Sequence, residues 1–216
     1  MFQLLLKIIP LDLAATLSPG ILAVTLVLLG GKIHSKIRTI SFLSGLLIVG
    51  IIVAILGFAL GKVAPSGIGQ NLTISIIDLI LGGFFIIFGI HLITSRERKI
   101  EISQEDDPKI LKWIIAGLIL SATNFDALFL SLTAAREVGL SAINDLSKIL
   151  LLVINLVFFA LPILLPLFLY LIAPEFAQPF LEKINRFLIK YSRYLLFAMF
   201  IIFGTILIFR GIKYFI

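Results

Sequence analysis

The sequence has no cysteine, only two histidines and few charged residues. The absence of cysteine excludes disulfides, thiol relays, iron–sulfur clusters and thiolate metal sites. Charged residues make up 14% of the chain, whereas soluble domains carry about 25%. Because 60% of the residues are hydrophobic and the mean hydropathy is +1.18, the composition predicts a membrane protein.

Long apolar segments recur along the chain at the length that a membrane-spanning helix needs, about 20 residues. Six are predicted: Leu4–Leu29, Ile40–Leu60, Leu72–Thr94, Ile110–Ala135, Ile149–Ile172 and Leu195–Phe209, the last extended toward Tyr191. The first contains Lys7 and Asp12 and is followed by no small-residue cleavage site, so we interpret it as a retained helix. The sequence therefore predicts an all-α, multi-pass protein of the cell membrane.

Basic residues are concentrated in alternate loops. The net charge is +6, and loops 1–2, 3–4 and 5–6 contain more Lys and Arg than the opposite side. This bias predicts that these loops are cytoplasmic and that both termini are extracytoplasmic. It also explains the positive charge without nucleic-acid binding, which we do not expect.

Two of these loops have patterns of their own. Residues 96–109 form a charged segment with acidic Glu105, Asp106 and Asp107, which is typical of a solvated linker and leaves regulation or metal binding as the alternative. After Pro174, apolar and basic residues alternate at helical spacing. That pattern predicts either an amphipathic helix on the membrane surface or an extension of helix 6 packed on protein.

The linker divides the chain into residues 1–95 and 110–216, each with three predicted spans. Phe85-Ile86-Ile87-Phe88-Gly89 recurs as 200–204 in the third span of the second half. An odd number of spans per repeat gives the halves opposite orientations, and inverted repeats are typical of transporters. Chance similarity between apolar helices is the alternative.

The first span contains a helix-breaking stretch, Ser18-Pro19-Gly20, after Thr16. Proline lacks a backbone donor and disfavours helix at the preceding residue, and lipid offers no partner for the freed carbonyl groups. A wet cavity, a packed interior or a simple proline kink would each accommodate the break. The fourth span contains a polar stretch at a comparable depth, at Thr123, Asn124 and Asp126.

Three acids, Asp12, Asp78 and Asp126, lie inside predicted spans. A carboxylate at the centre of a spanning helix costs about 2.5–3.5 kcal/mol on insertion scales, so such residues are often functional. They could bind a cation or relay protons, or contact interfacial water separately. For Asn155 we predict an interhelical hydrogen bond.

Residues 8–50, with the break, a short basic loop and "SFLSGLL" at the start of helix 2, resemble the opening of GAP or Sap-type proteins. These form the glycopeptidolipid-addressing family of the LysE transporter superfamily. Residues 117–143 are similar to the fourth helix of that family, with Asn124 retained and Phe125 at the position of a typical proline. The resemblance implies a six-helix inverted-repeat fold in which Ser18-Pro19-Gly20 and Asn124 frame the central path.

Together these patterns predict six helices as two inverted three-helix repeats, with helices 1 and 4 interrupted. We expect a transporter, not an enzyme, that exports a small solute or a lipid-linked molecule by alternating access with proton coupling. Membrane lipids and that substrate are the expected partners, with a homodimer as one option, and no cofactor or metal is expected. The competing hypothesis is a non-transporting scaffold or assembly factor for cell-envelope lipid export.

Overall fold

The computed structural model describes residues 2–31, 34–62, 72–94 and 110–215. All regular secondary structure in these ranges is helical. The helices are α1 (Phe2–Ala15), α2 (Pro19–Gly30), α3 (Ser35–Lys62), α4 (Leu72–Thr94), α5 (Ile110–Ala122), α6 (Phe125–Leu140), α7 (Asp145–Ile172) and α8 (Pro174–Ile212). The predicted charged linker, residues 96–109, lies outside the described residues.

Four of these helices are long and apolar enough to cross a membrane, and there are up to 6 spans if each bent helix pair counts as one. The bent pairs are α1 with α2, at 55°, and α5 with α6, at 75°. The chain is therefore a multi-pass helical membrane protein, as predicted, and both predicted breaks are present. Phe125 in place of proline does not weaken the second break, which is the sharper of the two.

The bundle has two ends. The ion-pair end contains the start of α1 and α4 and the end of α6 and α8, which are joined there by ion pairs between Lys7 and Glu137 and between Arg210 and Asp78. The linker end contains the end of α2, α4 and α7 and the start of α3, α5 and α8. α3 runs alongside both halves of the fourth span, because Gly45 packs on α5 and Gly61 packs on α6. The break between α5 and α6 consequently lies beside the middle of α3.

One sequence-based boundary was wrong. We ended the fourth span at Ala135 and placed Arg136 in a loop, but α6 continues to Leu140 and the Arg136 side chain is fully buried. Asp78 compensates the charge of Arg136, and a hydropathy profile does not take such pairing into account. The predicted sixth span is the later part of α8, which starts at Pro174, one residue after α7 ends, so the helix predicted after Pro174 is present and continuous with this span.

Candidate functional site: the seam between α1 and α6

The two helix breaks meet. Asn124 Nδ2 donates a hydrogen bond to Ser18 Oγ over 2.6 Å. Ser18 and Asn124 are the N-cap residues of α2 and α6, and neither makes a side-chain capping bond to its own helix. Their backbone conformations are similar, with φ −109° and ψ 81° at Ser18 and φ −86° and ψ 66° at Asn124. The side chain of each N-cap residue thus bonds to the N-cap residue of the other break instead of capping its own helix.

The threonines at the two breaks play matching local roles. The Thr16 hydroxyl donates to the Leu13 carbonyl at the end of α1. The Thr123 hydroxyl donates to the carbonyls of Ile119 and Leu120 at the end of α5. Carbonyl groups near the ends of α1 and α5 are therefore satisfied by the threonine that follows each helix.

The helices after the breaks begin with residues suited to that position. Pro19 is at the first turn of α2, where its missing N–H costs nothing, and Gly20 follows it. Asp126 lies in the first turn of α6, is half-buried, and faces the positive end of the helix dipole. The structure does not bring Asp126 together with the other two predicted acids in any hydrogen bond or ion pair between described side chains.

Asp12 lies in α1, between the break at Ser18 and the ion-pair end, and it is 0% exposed. Asn155 Nδ2, from α7, donates to Asp12 Oδ1 over 2.6 Å, and Ser131 Oγ, from α6, donates to Asn155 Oδ1 over 3.0 Å. The interhelical hydrogen bond predicted for Asn155 is therefore present. Asp12 Oδ2 has no hydrogen-bond partner among the described residues, although it is buried.

Asp78 is also 0% exposed, but it belongs to a chain of charges at the ion-pair end. Arg136 Nη1 lies 2.6 Å from Asp78 Oδ1, and Arg210 Nε lies 3.3 Å from Asp78 Oδ2. Arg210 Nη1 lies 2.6 Å from Glu137 Oε1, and Lys7 Nζ lies 3.7 Å from Glu137 Oε2. This series of ion pairs connects α1, α4, α6 and α8.

Sequence reasoning missed Arg136, Glu137 and Arg210, because the predicted spans end at Ala135 and Phe209 and so leave all three outside the helices. A usable signal was present in "LTAAREVGL", residues 132–140, where neither proline nor glycine separates Arg136 and Glu137 from the apolar helix. Two adjacent opposite charges on a continuing helix favour pairing inside the protein.

These contacts follow one line, which we call the polar seam: the facing polar residues of the antiparallel pair α1 and α6. From the ion-pair end inward they are Lys7 with Glu137, Asp12 with Ser131 through Asn155, and Ser18 with Asn124. The seam leads from one end of the bundle to both helix breaks. Among the described residues, the acids and histidines form no group of three that could hold a metal ion.

The apolar helices, the broken spans and the polar seam define a multi-pass helical membrane protein with polar contacts inside an apolar core. A family model described as "Sap, sulfolipid-1-addressing protein" matches residues 8–213. The chain belongs to this family, and the resemblance inferred from residues 8–50 and 117–143 is thereby confirmed. No curated protein and no solved structure matches the chain significantly.

Proposed function

We propose that this protein is a transporter that moves a lipid-linked molecule or a small solute along the polar seam. The observation that carries the proposal is the continuity of the seam, since three polar contacts, of which that between Asn155 and Asp12 is fully buried, connect the ion-pair end with the two helix breaks. Buried polar groups are costly in a membrane protein and usually mark a path or a binding site. Membership of a lipid-addressing family favours a lipid-linked substrate.

We propose alternating access between two inverted halves, residues 1–95 and 110–216, as the mechanism. The repeated Phe-Ile-Ile-Phe-Gly motifs support it, because they pack on each other in α4 and α8. The rings of Phe85 and Phe200, the first residue of each motif, lie 5.0 Å apart. A Cβ added at Gly89 would lie 3.1 Å from Phe200 Cβ, and one added at Gly204 would lie 3.1 Å from Phe85 Cβ.

Such reciprocal contacts are what a two-fold axis between the motifs would produce. The matched caps at Ser18 and Asn124 support the same relation between the first helices of the halves. An in-plane pseudo-two-fold axis with broken helices at the centre is typical of secondary transporters. Under this arrangement, both termini are extracytoplasmic and the ion-pair end faces outward.

For coupling, we propose Asp12 as the group that exchanges a proton or a monovalent cation during the cycle. Of the three acids predicted for this role, Asp12 combines complete burial with a carboxylate oxygen that no described group engages. Asp78 is compensated by Arg136 and Arg210. Asp126 stays a candidate at the breaks, and Asp126→Asn is predicted to abolish transport without unfolding the protein.

Water accessibility at the breaks tests the path without knowledge of the substrate. Single cysteines at Ser18 and Asn124, in a chain without native cysteine, would be exposed to membrane-impermeant thiol reagents from each side. We expect labelling at both positions. Ile80→Cys, at an apolar side chain that is 65% exposed on the outside of α4, is the unlabelled control in lipid, and Tyr214→Cys is the aqueous control.

The alternative is a non-transporting scaffold that holds partners of cell-envelope lipid export. The hydrogen bond between Ser18 and Asn124 favours it in one respect, because it also fits a tightly packed kink. If both break cysteines resist labelling from both sides while Tyr214→Cys reacts, the scaffold is the better interpretation.

A further inference from the structure

The first part of α8, residues 174–194, carries three stripes of side chains, and we call it the surface segment. With about 100° of rotation per residue, one stripe is buried against the protein and consists of Ala177, Leu181, Leu188 and Ser192. A second stripe is aromatic and exposed and consists of Phe176, Phe180, Phe187, Tyr191 and Tyr194. The third is basic and exposed and consists of Lys183, Arg186 and Lys190.

The order of the stripes around the helix matters. At that rotation, the aromatic residues fall within about 60° of one another, between the buried stripe and the basic stripe. The rings also contact each other along the stripe, with centroids 5.2 Å apart for Phe176 and Phe180 and 4.8 Å apart for Phe187 and Tyr191. One side of the helix is thus fixed on protein while an aromatic face and its basic border remain uncovered by the described residues.

Contacts at both ends of the surface segment place it at the level where α2 and α4 end. Arg193 donates hydrogen bonds to the carbonyl groups of Leu92 and Ile93, at the C-terminal end of α4. Near its start, Ala177 and Leu181 line a cleft with Leu29 at the end of α2. Both contacts are at the linker end, so the segment stays at this end rather than extending away from it.

The length of α4 relates this level to the membrane. α4 has 23 residues, which corresponds to about 34 Å and matches the roughly 30 Å hydrocarbon core. Arg193 of α8 contacts the last turn of α4. The part of α8 that precedes Arg193 is consequently not needed to cross the bilayer and begins at its surface.

The basic stripe makes no ion pair with the part of the chain that the structure describes. No carboxylate of the described residues lies within ion-pair distance of Lys183, Arg186 or Lys190. Aromatic side chains are enriched at the membrane interface. Basic residues beside an apolar face attract anionic lipids, at about 1 kcal/mol per charge.

We propose that the surface segment binds anionic phospholipid headgroups at the membrane surface of the linker end. The aromatic stripe lies among the acyl chains just below the headgroups, and Lys183, Arg186 and Lys190 contact the lipid phosphates. The buried stripe and Arg193 hold the segment in this rotation. The proposal does not depend on transport, since a scaffold would be anchored in the same way.

A fluorophore at a single cysteine tests this. Phe187→Cys places a single attachment point for the fluorophore in the aromatic stripe, because the chain has no native cysteine. The labelled protein is reconstituted in phosphatidylcholine vesicles that contain nitroxide-labelled phosphatidylglycerol or nitroxide-labelled phosphatidylcholine. We expect quenching by both lipids, and stronger quenching by phosphatidylglycerol at equal content. In Lys183→Gln/Lys190→Gln the preference should fall, by roughly fivefold in relative affinity for each lysine. Lys36→Gln/Lys112→Gln removes two exposed charges at the same end and should retain it.

Three results would overturn the proposal. Equal quenching by the two lipids would mean that the stripe contacts the bilayer without selecting anionic headgroups. Absence of quenching by either lipid would mean that protein or water surrounds the segment. Loss of the preference in Lys36→Gln/Lys112→Gln as well would assign it to the overall charge of this end rather than to the stripe.

Discussion

Asp12 and Asp78 are equally buried, yet their surroundings differ in charge. Asp78 contacts two guanidinium groups, from Arg136 and Arg210. Asp12 contacts the neutral amide of Asn155 and has one oxygen without a partner among the described residues. A buried charge with a fixed counter-charge stabilises one packing of the helices, whereas a buried acid beside neutral groups can exchange a proton or a cation. The Asp78 site is therefore expected to be structural and the Asp12 site to be functional.

The largest effect is expected at the charged site. Asp78→Asn leaves Arg136, which is fully buried, without its principal counter-charge. Removing one partner of a buried pair typically costs about 3–5 kcal/mol, so we expect a loss of that size in the free energy of unfolding. Chemical unfolding in mixed detergent micelles, followed by circular dichroism, measures it.

Two further variants control this prediction. Asp78→Asn/Arg136→Gln removes both charges and should be more stable than Asp78→Asn alone, because no charge is left uncompensated. Asp145→Asn changes an acid whose side chain is 88% exposed, and its effect should stay within about 0.5 kcal/mol. If Asp78→Asn were as mild as Asp145→Asn, the Asp78 site would not be the structural one of the two buried acid sites.

The next effect tests the close contact between α4 and α8, the helices that carry Asp78 and Arg210. A Cβ at Gly82 would lie 2.8 Å from the Gly204 carbonyl oxygen, whereas one at neighbouring Gly83 would meet nothing within 4 Å. We expect Gly82→Ala to destabilise the protein by about 1–3 kcal/mol. Gly83→Ala should be stabilising by about 0.5–1 kcal/mol, because alanine favours helix. The same unfolding assay compares the two, and equal effects would contradict the close approach.

The charged site also shows where sequence reasoning ends. The break at Ser18-Pro19-Gly20 was predictable because proline and glycine act locally on the backbone. The pairing of Arg136 with Asp78 was not, since the two residues are 58 positions apart and hydropathy assigns a charge after an apolar run to a loop. By contrast, the helix after Pro174 was predictable from the helical spacing of its apolar and basic residues, and α8 starts there. The inverted orientation of the two halves stays a prediction, and reciprocal contacts such as that between Phe85 and Phe200 support it.

A smaller effect is expected at the breaks. Ser18→Ala and Asn124→Ala each remove one partner of the same hydrogen bond, and each should cost about 1 kcal/mol. A double-mutant cycle should give a coupling energy of about 0.5–1.5 kcal/mol between them. Ser44→Ala, which removes a hydroxyl bonded only within its own helix, should show no coupling to Asn124→Ala. Additive effects of Ser18→Ala and Asn124→Ala would mean that the breaks do not support each other.

The smallest effect on stability, and the largest expected effect on function, belongs to Asp12. In Asp12→Asn the side-chain oxygen can still accept the hydrogen bond of Asn155, and the cost of burying a charge disappears. We expect the free energy of unfolding to change by less than about 1 kcal/mol. In the same variant, labelling of Ser18→Cys should become confined to one side of the membrane, because the coupling group can no longer change state. A loss of several kcal/mol, similar to that of Asp78→Asn, would instead mean that Asp12 has a fixed counter-charge and is as structural as Asp78.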